Sequence, residues 1–355
     1  MEAIRVAIIG TGGMANNHAA SFKIEPDVRI AACCDVIRKT AETFAAKHAV
    51  PAVYTDYREL LAKESLDAVS VVTSDAAHGE VSVAASRKGL HVLCEKPLAT
   101  SSAEAGRMLR AARASGKIHM INFSYRSVPA LERARQLVAD GELGAIRHVE
   151  ASYLQCWLAS DCRGDWRERP ASFWRMSRSH SGGTLADLGC HILDFVTYVV
   201  GDIASLHCSM KSFPKGVPRN TWKGYRLDAD DSFFATAEFA SGALGIIHAT
   251  RWATGHANCL RLRVFGDRGA LVLDTDAGGN KLQVCLEKFH ALNRLWNELP
   301  ANVPETTVYA RFIRAIRSGA PEAPTFEDGV RARAYQDACI VSAETGKPAR
   351  IRIPR

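Results

Sequence analysis

The sequence predicts an α/β chain of two parts. Residues 1–123 read as a doubly wound parallel sheet, and residues 124–355 as an α/β domain with a mostly antiparallel sheet. Three observations predict this. Strand and helix patterns alternate up to residue 123, as parallel βαβ units require. The later apolar runs have a period of two and are separated by turn residues instead of helices. A chain of 355 residues also exceeds what one small core supports, so two domains are expected.

The first element, Ile4 to Ile9, is a buried strand that runs straight into Gly10-Thr11-Gly12-Gly13-Met14-Ala15. This is G-x-G-x-x-A, a dinucleotide-binding fingerprint. Gly10 allows the tight turn, Gly12 lets a pyrophosphate approach the backbone, and Ala15 permits close helix–strand packing. The helix that follows aims its free N–H groups at the phosphates. Gly10, Thr11, Gly12, Gly13 and Met14 are therefore the expected phosphate-binding residues. A second strand, Val28 to Cys34, ends in Asp35, twenty residues after Ala15. A carboxylate there accepts hydrogen bonds from both ribose hydroxyls and repels a 2′-phosphate, which favours NAD. Arg38 could hold a 2′-phosphate, so NADP stays open.

The other elements follow in order. Helices are expected at Arg38 to Lys47 and Tyr57 to Ala62. A continuous apolar strand spans Leu66 to Thr73, as in a sheet covered on both faces. Then come helix Gly79 to Lys88, strand His91 to Cys94, helix Ala103 to Ser115 and strand Ile118 to Phe123. The second part opens with helix Pro129 to Asp140 and the alternating strand Ile146 to Tyr153. A tryptophan-rich polar stretch follows, from Trp157 to Ser181, and then a helix from Thr184 to Val199. Strand-like runs lie at Ala204 to Ser212, Ser232 to Phe239, Gly245 to Trp252, Cys259 to Phe265 and Leu271 to Leu273. Helices near Val308 to Ser318 and Asp328 to Ser342 close the chain.

The formal net charge is +7, but the basic residues are dispersed, which argues against a nucleic-acid partner. No apolar run reaches the length of a membrane span. The ten cysteines form no C-x-x-C pair and no zinc-like Cys/His spacing. They read as buried thiols in a reducing compartment, with no metal expected. The chain enters its first strand at once, leaving no room for a signal peptide, so the expected location is the cytoplasm.

Several residues could carry chemistry. Glu95-Lys96-Pro97 stands at the carboxyl end of strand His91 to Cys94, where open α/β sheets place ligands. The Lys96 charge there would stabilise a developing alkoxide. Thr73, Ser74 and His78 follow another strand end and could line the cofactor crevice, with Ser74 or Asp75 alternatively capping the next helix. Asp187 and His191 are four apart on a helix, a pairing suited to acid–base work near neutral pH. A satisfied core histidine would look the same. Arg175 could bind an oxygen-rich ligand, with Trp174 stacking on a ring. Trp166-Arg167 is a competing pair. Asn122, Tyr125 and Arg126 end the last strand of the first part and could reach the same crevice. For His256 and Asn258, in a hairpin, a turn role is expected.

In motif order and spacing the chain resembles the Gfo/Idh/MocA family of nicotinamide-dependent oxidoreductases. The resemblance rests on Gly10 to Ala15, Asp35, Glu95-Lys96-Pro97, Asn122 to Arg126, Trp174-Arg175, the Gly182 to His191 run and Phe326-Glu327-Asp328-Gly329. It implies a Rossmann domain followed by an α/β domain with a large open sheet, which often mediates dimers or tetramers. It also implies hydride transfer on a hydroxyl-bearing carbon of a sugar, inositol, anhydrosugar or glycoside. Lys96, Asp187 and His191 would be catalytic. Glu95, Asn122, Trp174 and Arg175 would face the cofactor, and Tyr125, Arg126 and Arg175 the substrate. An NAD-dependent glycoside-cleaving enzyme and a non-catalytic NAD-binding regulator are the alternatives. The chain departs from the family at Ser74, where proline is usual.

Overall fold

The computed structural model describes residues 2–160, 162, 164–276, 280–286 and 288–354, which divide into two units. One comprises Met1–Ser124, Thr306–Arg333 and Ile353–Arg355, and the other Tyr125–Glu305 and Ala334–Arg352. The division differs from a single cut at 123/124 because the chain returns to the first unit near its end. The reason is the apolar face of helix Val308–Ser318. Val308, Tyr309, Phe312 and Ile313 are buried in one cluster with Ile4, Val6, Ala19 and Phe22.

Among its described residues the first unit holds a six-stranded sheet in the order Ala52–Tyr54, Val28–Cys34, Ile4–Ile9, Ala68–Val71, His91–Cys94, His119–Ile121. Every pairing is parallel. The strand order reverses between Ile4–Ile9 and Ala68–Val71, and the carboxyl ends on either side of that point form the binding edge of such sheets. Ala52–Tyr54 was not expected. It is an edge strand of three half-buried residues, too short to show a period.

Among its described residues the second unit is built on a nine-stranded sheet. At its centre, Ile146–Leu154 pairs in parallel with Leu244–Thr250, from His148↔Leu244 to Leu154↔Thr250. The remaining pairings are antiparallel. Buried and exposed residues alternate without a break along Phe233 to Phe239, so one face is core and the other is open. The core face packs against helices Pro129–Ala139 and Cys190–Val200, through Leu131, Ala134, Ile192 and Val196. Strand Lys281–Cys285 escaped the sequence reading.

Two expectations change here. The helix expected over Thr184 to Val199 is two elements: a π-helical segment, Leu185–Gly189, and an α-helix, Cys190–Val200. The cysteines are not all thiols, since Cys156 and Cys162 form a disulfide. A turn returns the chain, with Ala159 and Ser160 N–H groups donating to the Cys156 carbonyl. The other eight cysteines are buried and lie outside that disulfide.

Candidate active site

In the first unit the glycine turn is shaped by contact. Gly10 has φ +92°, and a Cβ there would sit 2.4 Å from the Val72 carbonyl oxygen. A Cβ at Gly12 or Gly13 would meet nothing within 4 Å, so that side of the backbone is open. Helix Gly13–Ile24 has no side-chain cap and no acidic residue in its first turn, which leaves its N-terminal N–H groups and dipole for an anion. Met14 is exposed beside it. These features fit a dinucleotide pyrophosphate.

The Asp35 carboxylate is tied to the same turn. Its Oδ2 accepts from Thr11 N–H (2.9 Å) and Oγ1 (3.0 Å), and its Oδ1 from Ile37 N–H (3.0 Å). Arg38 is exposed and lies 3.6 Å from Glu42. Alongside lies a groove of about 420 Å³ lined by Thr11, Lys39, Thr40 and Lys47 among others. The sequence reading missed these two lysines because helical phase, not a motif, brings them there.

Glu95, Asn122 and His78, read as cofactor contacts, have their polar atoms in the interior. Glu95 Oε1 accepts from His18 Nε2 (2.8 Å) and Asn122 Nδ2 (2.6 Å), and Glu95 Oε2 from Lys96 N–H (3.2 Å). Ser70 Oγ lies 2.7 Å from His18 Nδ1, and Asn122 Nδ2 also reaches Tyr309 Oη (3.1 Å). Burial pulls the Glu95 carboxyl up. The hydrogen bond and charge of His18, with Lys96 and Asn122, outweigh that and bring it down to about 2. Asn122 Oδ1 alone in this network is buried with no hydrogen-bond partner, an acceptor that fits an amide donor on a bound group.

His78 is fully buried, with Nδ1 2.8 Å from the Pro97 carbonyl oxygen and Nε2 3.2 Å from that of Thr73. Two carbonyl acceptors require both ring N–H groups, so the imidazolium is favoured. Burial opposes the charge, but Cys94, Asp75 and the Pro97 carbonyl outweigh it and raise the His78 pKa. Through these bonds Glu95 accepts from the Lys96 backbone, and His78 bridges the Thr73 and Pro97 carbonyls. Ser74 occupies the N-cap position of a short turn, with no side-chain capping bond.

In the second unit Asp187 lies in the π-helical segment. Its Oδ2 accepts from Arg251 Nη2 at 2.9 Å and lies 3.8 Å from Arg175 Nε. Arg251 is fully buried at the end of strand Leu244–Thr250. It also donates to the carbonyls of Gly183 and Arg175 and stacks over Trp157. The segment is held at its N-terminal end. Asp230 Oδ2 accepts from Leu185 N–H, and Gln336 Nε2 donates to the Leu185 and Ala186 carbonyls. A Cβ at Gly183 would fall 2.1 Å from Asp230 Oδ1, so the glycine is required by close approach as well as by its φ of +73°. Burial pushes Asp230 up to about 6, against its hydrogen bond from Leu185 and the Arg251 charge.

The competing tryptophan–arginine pairs separate clearly. Trp166 is buried in an apolar cluster with Trp157 and Phe173, and Arg167 pairs with Asp165. Arg175 stacks on Trp174 and reaches toward Asp187.

His191 is buried, its ring edge-to-face with Tyr125 (5.0 Å) and near Tyr153 (6.3 Å). Tyr125, Tyr153 and Asn258 close a hydrogen-bonded ring. Asn258 Nδ2 donates to Tyr125 Oη (2.8 Å), Tyr153 O–H to Asn258 Oδ1 (2.8 Å), and Tyr125 O–H to Tyr153 Oη (2.7 Å). Gln155 supports the ring through Asn258 Oδ1. Arg126, read as a substrate contact, instead forms a buried bidentate pair with Asp194 (2.9 and 2.5 Å). A guanidinium this deep needs its carboxylate, which explains the change.

The first unit is built to hold a dinucleotide, and the second offers acid–base groups beside buried cations. That is the division of labour of a dehydrogenase. Residues 4–123 match the Gfo/Idh/MocA oxidoreductase family with NAD-binding Rossmann fold, and residues 131–272 match that family's C-terminal domain. The chain is 27% identical to levoglucosan dehydrogenase of Pseudarthrobacter phenanthrenivorans, over 97% of both chains. It is 31% identical to D-glucoside 3-dehydrogenase of Escherichia coli, over 68% of both. A solved levoglucosan dehydrogenase in complex with NADH superposes with a TM-score of 0.88, at 25% identity, over 99% of this chain and 100% of the other. The chain belongs to the Gfo/Idh/MocA family of oxidoreductases.

Proposed function

We propose that this protein is an NAD-dependent dehydrogenase of a sugar, inositol, anhydrosugar or glycoside. The observation that carries the reading is Asp187, held by Arg251 and Arg175 one helical turn before His191. The nicotinamide, when bound, accepts or supplies the hydride. His191 is the group that exchanges the proton of the substrate hydroxyl, and Lys96 is the cation that stabilises a developing alkoxide. Asp187 orients the substrate and the imidazole, with its own orientation set by Arg251. The Tyr125–Tyr153–Asn258 ring supports the His191 ring.

The likeness to levoglucosan dehydrogenase and D-glucoside 3-dehydrogenase supports a cyclic polyhydroxyl substrate. The open face of the nine-stranded sheet supports self-association into a homodimer or homotetramer, and the eight buried cysteines outside the disulfide support a cytoplasmic location. No helix among the described residues is long and apolar enough to cross a membrane.

The test is a fluorescence titration with NAD(H) and NADP(H), followed by a 340 nm assay over inositols, aldoses, anhydrosugars and glycosides. NAD binding with turnover on one class supports the reading. Aglycone release without net NADH formation would instead mark a glycoside-cleaving enzyme. Tight NAD binding with no turnover would mark a regulator.

A further inference from the structure

The turn before strand Cys259–Gly266 and the segment after strand Ala270–Asp274 bring together a histidine, a cysteine and an aspartate that the oxidoreductase reading leaves unused. The two strands are antiparallel neighbours with Arg261 opposite Asp274, which carries Cys259 and Asp276 past the register to the same end. His256 Nδ1 lies 2.6 Å from Asp276 Oδ2, and the donor atoms of His256, Cys259 and Asp276 all lie within 4.8 Å of one another. We propose that His256, Cys259 and Asp276 form a binding site for a borderline-soft divalent cation of the zinc class.

Four observations support the assignment. The donor set is imidazole, thiol and carboxylate, the combination this class of ion takes. The H-x-x-C spacing places two donors on one turn. The backbone beneath is pinned, since Leu260 N–H donates to Thr275 Oγ1 (2.8 Å) and Thr275 N–H to the Leu260 carbonyl (3.0 Å). A tetrahedral ion wants donors about 3.3–3.8 Å apart. His256 and Asp276 are each about a third exposed, so they can part from their 2.6 Å contact and close on the buried Cys259.

The charge balance points the same way. Asp274 Oδ1 lies 3.8 Å from Cys259 Sγ, and Asp276 also faces the thiol; Arg261 neutralises Asp274 on its other oxygen. A cation bound among these carboxylates would offset their negative field. Asn258, a member of the Tyr125–Tyr153–Asn258 ring, lies between the two donors on the turn, so a bound ion clamps the hairpin that carries it.

The experiment is titration of chelator-treated, reduced full-length protein with Co2+, read by the thiolate-to-metal charge-transfer band and by competition with Zn2+. Expected are one equivalent of Co2+, a band absent in Cys259→Ser, and affinity weakened about tenfold or more in both His256→Ala and Asp276→Asn. Zn2+ should also raise the unfolding temperature of the wild type and not of His256→Ala. The His256 and Asp276 variants alter side chains about a third exposed, so loss of binding in them is not loss of fold. Absence of the band, its persistence in Cys259→Ser, or unchanged affinity in both His256→Ala and Asp276→Asn would overturn the site.

Discussion

Asp187 is held by a cation that its own helix does not supply. Arg251 lies 64 residues away in sequence and has no exposed surface. Removing one member of a buried ion pair leaves an uncompensated charge, at a cost of about 3–5 kcal/mol. Arg251→Met should lower unfolding stability by that order in urea titrations and reduce kcat/KM as well. Lys96→Ala should behave differently. It removes one oxyanion donor, so turnover should fall about 10²–10³-fold while NADH binding by fluorescence is retained. Unchanged turnover would remove Lys96 from the mechanism. A strand end brought Lys96 forward in the sequence, and a spacing of four on a helix brought Asp187 and His191. Arg251, Asp230, Gln336, His18 and Tyr309 were not, because each reaches its partner through tertiary contact and none sits in a motif. Arg126 and Glu95 show the complementary case: a charged residue at a strand end reads as a ligand contact, and the structure shows the buried partner that sequence does not.

At the scale of elements, the π-helical segment marks the limit of pattern reading. A spacing of four implies one face of an α-helix, but Asp187 lies in a π-helical segment, and its carboxylate pairs with Arg251. Asp230 caps the segment and titrates at about 6, above its ordinary 3.8. A raised carboxyl favours the protonated form in the fold. Its contribution is therefore fully present below about pH 3.8 and is lost as pH rises through about 6, amounting to about 3 kcal/mol. Urea unfolding of wild type and Asp230→Asn at pH 4 and pH 7 should show the wild type losing stability relative to the variant. Equal pH slopes would refute the assignment. The glycine turn was legible in sequence because a positive φ is a local demand, although the Val72 carbonyl adds a tertiary one. Gly10→Ala should abolish NAD binding and destabilise the protein by more than about 1 kcal/mol, since both φ and the Val72 carbonyl exclude a Cβ.

For the whole molecule, alternation of strand and helix was enough to name the parallel sheet, and period-two runs were enough for the second sheet. The parallel pairing at the centre of that sheet, and the return of helix Val308–Ser318 to the first unit, are long-range choices that local pattern does not encode. The open sheet face carries Phe234, 54% exposed and stacked on His248 at 4.9 Å. If this face joins two copies, Phe234→Glu should shift the protein to monomer in light scattering, and an unchanged oligomer would place the interface elsewhere.

Helix Val308–Ser318 has a consequence for synthesis. Tyr309 supplies a partner to Asn122, and Phe312 and Ile313 complete the apolar cluster around Phe22. A ribosome that has made residues 1–124 has delivered every strand of the parallel sheet and none of that helix. The nascent first unit therefore leaves the exit tunnel with an unsealed core. It must wait for roughly another 190 residues, about 10–40 s at ordinary elongation rates, before it can close.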